Sequence, residues 1–191
     1  RRVEALRDKQ LEEFLTKKEK LSDLSKQKNE EVIKNLSEQI IKLGGKPNLD
    51  NKNHKELIKD LNKQFDQLSV KNILSDKSKN IIKDETINNI KVRFQKIIDL
   101  PPKDLRKLID NGKKEIVEGI VVIFASKDGK IGLAAGVTDK LVNKYDAVKF
   151  VKTGSEIIGG KGGGGRADFA QAGGTEVNKI DDAISKLKSL I

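Results

Sequence analysis

Residues 159–174 read Gly-Gly-Lys-Gly-Gly-Gly-Gly-Arg-Ala-Asp-Phe-Ala-Gln-Ala-Gly-Gly, and eight of these residues are glycine. Glycine loses more backbone freedom on folding than any other residue. A fold therefore keeps so many together only where the main chain must approach something closely or adopt positive φ repeatedly. A plain spacer would continue in Ser, Thr or more Gly. This run instead stops at Arg166, Asp168 and Gln171, set among small apolar residues, before Gly173 and Gly174 close it. Bare N–H groups beside Lys161 and Arg166 form a concave donor surface suited to a phosphate. Composition alone also fits a disordered hinge.

Gly160, Gly162 and Gly165 satisfy the G-x-G-x-x-G spacing, but a dinucleotide fingerprint leaves a strand and opens a helix. Here residues 147–158 read as helix, and the glycine-bounded stretch after them is a poor start for a crossover helix. A Walker loop needs Ser or Thr after its lysine, and Lys161 is followed by Gly162. The segment is placed between two helices at one edge of a sheet, as a mobile binding loop.

The chain around it has 191 residues, 36% of them charged and 4% aromatic, with no Trp. Such a composition suits an elongated helical part joined to a smaller globular one rather than one compact globule. The formal net charge of +10 favours a polyanionic partner, although a merely lysine-rich surface gives the same sum. Cysteine is absent, which excludes disulfides, thiolate metal sites and thiol nucleophiles. His54 is the one histidine and sits in a polar helix-start context, so it reads as surface. No apolar run approaches the roughly 20 residues of a membrane span, and the charged opening is no secretory signal. A cytoplasmic protein without membrane contact is expected, and the missing initiating Met accords with a fragment.

Residues 4–43 lack internal Gly and Pro, and Leu11, Phe14, Leu15, Leu21, Leu24, Ile33, Leu36, Ile40 and Leu43 recur at helical spacing. Gly44, Gly45 and Pro47 stop this long amphipathic helix. A second helix over residues 53–69 presents Leu57, Ile58, Leu61, Phe65 and Leu68, and so short a polar connection predicts an antiparallel hairpin. Two helices alone cannot bury both stripes. They must pack on the globular part, on a domain outside this chain, or on a second copy. A dimer through the stripe Ile33, Leu36, Ile40 and Leu43 is the self-association reading.

From about residue 79 the period changes. Residues 79–83 and 87–98 contain strand-like stretches, with Ile90, Val92 and Phe94 alternating. Pro101 and Pro102 open a helix through Leu105, Leu108, Ile109 and Ile116. Residues 119–125 and 131–137 read as two strands joined at Asp128-Gly129, a hairpin signal, and Ala134-Ala135-Gly136 implies close packing. Helices are expected near residues 140–143 and over 147–158, and a last one carries Val177, Ile180, Ile184, Leu187 and Ile191. The fold class is thus α+β or α/β, with residues 1–78 a helical hairpin and residues 79–191 a small mixed-sheet domain with flanking helices.

The stretch 159–174 resembles the carboxy-terminal signature of alanyl-tRNA synthetases: a glycine run, Arg, Pro, Asp, an apolar residue and Ala-Gln-Ala-Gly-Gly. It departs at Ala167, where that family has Pro. Arg1-Arg2-Val3-Glu4-Ala5-Leu6 is similar to the junction after the family's editing domain. The resemblance implies a DHHA1-like globular domain, related to the second domain of DHH phosphoesterases, that binds the elbow of alanine tRNA and links aminoacylation with editing. It also implies homodimerisation through the helical part. The residues carried over to tRNA binding are Lys161, Gly162, Gly163, Gly164, Gly165, Arg166 and Gln171. Lys149 and Lys152 are added on charge alone. Asp168 and Gln171 serve equally well as residues that hold the shape of the loop.

No catalytic residue is assigned. Asp168 next to Arg166 stays ionised, which makes a poor acid–base group, and no carboxylate pair, His-rich motif or ATP-binding motif is present. No metal or cofactor is expected in this chain, ATP, magnesium and zinc being implied only for a longer parent enzyme. The second functional reading is a nucleotide- or oligonucleotide-binding accessory domain of a DHH-type phosphoesterase. Against it stand Arg1 to Leu6 and the Ala-Gln-Ala-Gly-Gly ending, since those enzymes typically carry a histidine after their glycines.

Overall fold

A computed structural model describes residues 8–50 and 53–191, with side chains from residue 12 onward. Arg1 to Leu6, the residues of the amino-terminal resemblance, lie outside the described residues. Two compact units divide the chain, Arg1–Asn72 and Ile73–Ile191.

In the first unit, α1 spans Asp8–Lys42 and α2 begins at His54 and runs to Ser75, its last turn belonging to the second unit. Gly44, at φ +79°, ends α1. Its N–H bonds to the Ile41 carbonyl and that of Gly45 to the Ile40 carbonyl, each at 2.9 Å. This is the paired closure that a left-handed glycine permits. Asn53 caps α2, its side-chain oxygen accepting from the Glu56 N–H at 3.0 Å. Ile40, Leu57 and Leu61 are buried, with Ile33, Leu36, Phe65 and Leu68 packed around them.

α1 ends and α2 begins within one residue of the short polar connection expected. The Leu43 carbonyl accepts from Asn72, and Gly45 lies so close to Leu68 that a Cβ there would collide with it. The chain then returns along α2, where Gln64 bonds to the Lys46 carbonyl at 2.6 Å and to the Asn48 N–H at 3.3 Å. The stripe expected to lack a partner is partly covered: Ile40 is fully buried and packs with the half-buried Ile33 and Leu36 against α2, while Leu43 is half-buried beside them. Among the described residues, the large apolar side chains that α1 leaves exposed are Phe14, Leu15, Leu21, Leu24, Val32 and Ile41.

The second unit is a six-stranded mixed sheet with order β1-β2-β3-β4-β6-β5. β1 (Asn80–Ile87) and β2 (Ile90–Ile98) form a hairpin across Asn88-Asn89, both at positive φ. The Asn pair supplies the left-handed conformations that a two-residue hairpin turn requires. α3 (Leu105–Ile116), entered through Pro101 and Pro102, carries the chain across to β3 (Gly119–Lys127), which lies parallel to β2. β4 (Lys130–Val137) returns antiparallel through Asp128-Gly129, again at positive φ. Residues 138–144 form successive turns rather than the helix expected near 140–143, with the Leu141 carbonyl accepting from both Lys144 and Tyr145. α4 (Ala147–Ile157) follows, capped by the Asp146 side chain on the Val148 N–H at 2.8 Å, and α5 (Ile180–Lys188) ends the chain.

β3 is buried from Gly119 through Ala125 without alternation, because both faces of the sheet are covered. α4 and α5 cover one face, where Phe94, Phe124, Leu133, Phe150 and Leu187 meet. α3 covers the other, and there β4 is small: a Cβ on Gly132 would fall 2.7 Å from Leu105, and one on Gly136 would strike Ile109. The expected close packing of Ala134-Ala135-Gly136 is, at Gly136, that of α3 on β4, while Ala135 belongs to the core on the α4 side.

Candidate functional site

The glycine run lies between α4 and α5 at one edge of the sheet, as expected, but as paired strands rather than a loop. It is an ordered hairpin, β5 (Gly163–Arg166) and β6 (Phe169–Gly174), in which β6 pairs with β4 and β5 is the outer strand. A tertiary frame holds it at both ends. At the base, the fully buried Ser155 hydroxyl donates to the Gly173 carbonyl at 3.0 Å and accepts from the Gly162 N–H at 3.3 Å. At the tip, the Ala147 N–H bonds to the Ala167 carbonyl and the Val137 N–H to the Asp168 carbonyl, both at 3.0 Å.

The glycines have separate reasons. Gly159, Gly162 and Gly165 adopt φ of +74°, +99° and +153°, so they supply the left-handed positions. Gly163 does not; there a Cβ would lie 2.5 Å from both the Ala172 Cβ and the Gln171 carbonyl. Gly164 faces open space. An antiparallel edge strand turns half its N–H and C=O groups to its partner and half outward. The concave array of consecutive donors anticipated from the sequence is therefore replaced by an edge clear of side chains.

Pairing assigns the side chains to faces. Arg166 lies opposite Phe169 and Gly164 opposite Gln171, and directly opposed residues share a face. Ala170 and Ala172 pack into the core under α4. Phe169 lies on the other side, beneath the Arg106 guanidinium of α3, which stands 5.1 Å from its ring centroid. Arg166 and Gln171 thus belong to the α3 face. Lys149 and Lys152, both exposed on α4, belong to the opposite side of the sheet and are not brought together with them. Lys161 is exposed just before the hairpin.

Arg166 is engaged locally. Its Nε and one terminal nitrogen donate to the two Asp168 carboxylate oxygens at 3.0 and 3.1 Å. These hydrogen bonds, with the charges of Arg166 and Lys113, hold the Asp168 carboxyl below the usual carboxylate range. The same partner raises Arg166 further, so the pair stays ionised. Of the two roles open for Asp168, bracing the hairpin is the one its contacts fit.

Between α3 and the hairpin lies a groove of about 530 Å³, lined among others by Lys103, Arg106, Gly162, Gly163, Phe169 and Gln171. No carboxylate lines it. A neighbouring cleft along α3 mixes Lys113, Lys114 and Lys140 with Asp110 and Asp139. Lys103 and Arg106 escaped the sequence reading, since nothing local connects the Pro101-Pro102 helix with the glycines. Among the described residues no group of three His, Cys, Asp or Glu is placed to hold a metal ion, and no helix is long and apolar enough to cross a membrane.

Residues 89–191 match the family model described as the DHHA1 domain. Alanine–tRNA ligase of Parvibaculum lavamentivorans is 47% identical over 108 residues, which is 56% of this chain and 12% of that protein. The Paramagnetospirillum magneticum enzyme is 38% identical over 107 residues, again 12% of its length. This chain thus spans a small part of the curated relatives it matches. The C-Ala domain of Aquifex aeolicus alanyl-tRNA synthetase superimposes with a TM-score of 0.54 at 30% identity, covering 56% of this chain and 96% of that domain.

Proposed function

The chain belongs to the DHHA1 domain family, and on that premise we propose that it is a carboxy-terminal alanyl-tRNA synthetase module that binds the folded elbow of alanine tRNA. The observation that carries this reading is the glycine hairpin: a sheet edge without side chains from Gly163 to Gly165, beside a groove whose charged lining is cationic. Such an edge admits a broad phosphate surface to backbone distance, and an open groove suits a macromolecule better than an enclosed metabolite. Folded RNA is read mainly by shape and phosphate, whereas single strands need stacking aromatics, and aromatic residues are 4% of this chain. The +10 charge acts in the same direction. The similarity to alanine–tRNA ligases favours this reading over the phosphoesterase accessory domain.

In this reading the chain performs no chemistry of its own. ATP, magnesium and zinc, and the attachment of alanine, belong to other parts of a longer enzyme whose aminoacylation and editing the module links. Self-association proceeds through the exposed stripe of α1, Phe14, Leu15, Leu21 and Leu24, rather than through Ile33, Leu36, Ile40 and Leu43, the first three of which already pack with α2.

Fluorescence titration of the full chain with transcribed alanine tRNA and with an unstructured RNA of equal length tests the reading. The tRNA binds more tightly, with affinity falling steeply as salt is added. Equal binding of both RNAs would end it.

A further inference from the structure

Two guanidinium groups stand on the α3 face of the hairpin, and they are not equivalent. Arg166 spends its Nε and a terminal nitrogen on Asp168. Arg106 has a ring as its partner: its guanidinium lies over Phe169, and no carboxylate among the described residues pairs with it. Stacking engages the face of a guanidinium and leaves its in-plane N–H donors available. It also restrains a long side chain in advance, so less freedom is lost when an anion arrives.

We propose that the groove between the first turn of α3 and the glycine hairpin seats an RNA phosphodiester, and that Arg106, rather than Arg166, is the guanidinium that holds it. The proposal rests on the tRNA reading above and names the face on which the RNA lies. Lys103, one turn before Arg106, lines the same groove and adds charge, while Gln171 offers an amide from the facing strand. At Gly163 the bare backbone forms part of the wall. The α4 side, with Lys149 and Lys152, turns away from this seat.

The test uses the full chain. With alanine tRNA, Arg106→Ala weakens binding about 10- to 100-fold and lowers the slope of log affinity against log salt by about one phosphate contact. Arg106→Lys restores part of the affinity, since lysine keeps the charge without the planar fork. The double variant Lys149→Ala/Lys152→Ala serves as the opposite-face control and changes affinity less than threefold. Thermal melts of all variants verify that the sheet stays folded. In a second arm, tripolyphosphate is titrated while the Arg106 Nε–H and Gln171 side-chain resonances are followed, and both shift at saturable concentrations.

If wild type and Arg106→Ala bind tRNA equally while the α4 double variant loses affinity, the groove is refuted and the tRNA reading survives. If wild type fails to bind tRNA but tripolyphosphate still moves Arg106, the tRNA reading falls and takes the RNA ligand with it, leaving an anion seat. If Arg106 responds to neither probe, the proposal is overturned.

Discussion

In the helical unit the buried apolar side chains among the described residues are Ile40, Leu57 and Leu61, whereas in the sheet unit β3 alone is buried from Gly119 through Ala125. A helix touches its neighbour along one stripe, while a central strand covered by α3 on one side and α4 with α5 on the other is dry on both. The sheet unit can therefore hold an exposed glycine-rich edge in a fixed place, because its core stabilises what the glycines themselves disfavour. The helical unit has no such surplus, and the amino-terminal half of α1 keeps Phe14, Leu15, Leu21 and Leu24 in water. One unit fixes a surface in place, and the other leaves apolar side chains uncovered.

The contrast breaks first, and by the largest amount, in the sheet. Phe124→Ala removes a fully buried ring between β3 and the α4–α5 layer and costs about 3–5 kcal/mol. Denaturant unfolding followed by near-core amide exchange measures it. Ile40→Ala is expected to cost the helical seam about 2–5 kcal/mol and to leave the sheet's own transition in place. If the sheet's transition shifts equally, the units unfold as one cooperative body and the comparison fails.

Gly163→Val comes next, because its Cβ meets Ala172 and the Gln171 carbonyl. Overpacking of this kind costs roughly 1–3 kcal/mol; the added side chain points with Ala172 to the α4 side, so tRNA affinity drops only as far as β5 is displaced from the groove. The cause is close approach and not backbone strain, as Gly163 is not at positive φ. Leu21→Lys with Leu24→Lys sharpens the other half of the comparison. Both residues are exposed, so monomer stability moves by no more than about 0.5 kcal/mol, while sedimentation shows the dimer lost at tens of micromolar, in the range of about 10–100 µM, as removal of apolar contacts predicts.

The smallest effect is that of pH on the hairpin tip. Asp168 has its pKa lowered in the folded chain, so the stabilisation from its pair with Arg166 is full above the unfolded value of about 3.9 and is lost as pH falls through the lowered one. Between pH 5 and 8 the tip is unchanged, windows set by that same reference value of about 3.9. Following the Asp168 carboxyl resonance on acidification checks this, and a midpoint above the ordinary carboxylate value would contradict the pairing.

Much of this fold was legible because its signals are local. Asp128-Gly129 announced a hairpin, Pro101-Pro102 a helix start, and the alternation of Ile90, Val92 and Phe94 a strand whose inner face is the one buried. Asn88-Asn89 divides a stretch that reads as one strand-like run, since the left-handed conformation of each Asn is settled only when β1 and β2 pair. Glycine carries no strand preference of its own, so β5 is invisible until β6 is seen beside it. The stripe of Ile33, Leu36 and Ile40 was visible, but its partner was not. A periodic apolar face says that something covers it and leaves the choice between an intramolecular helix and a second chain to tertiary contacts.

By itself the sequence determined where the glycines lie, which cations adjoin them, and that Arg166 and Asp168 stand close enough to neutralise one another. Those facts follow from spacing along a few residues. Only the tertiary structure decided that the run is an edge hairpin, that Lys149 and Lys152 lie across the sheet from Arg166 and Gln171, and that Arg106 stands over Phe169. Each of these depends on strand register and on the face of the sheet that a helix covers. Both are set by burial of residues far apart in the chain, and no local pattern encodes them.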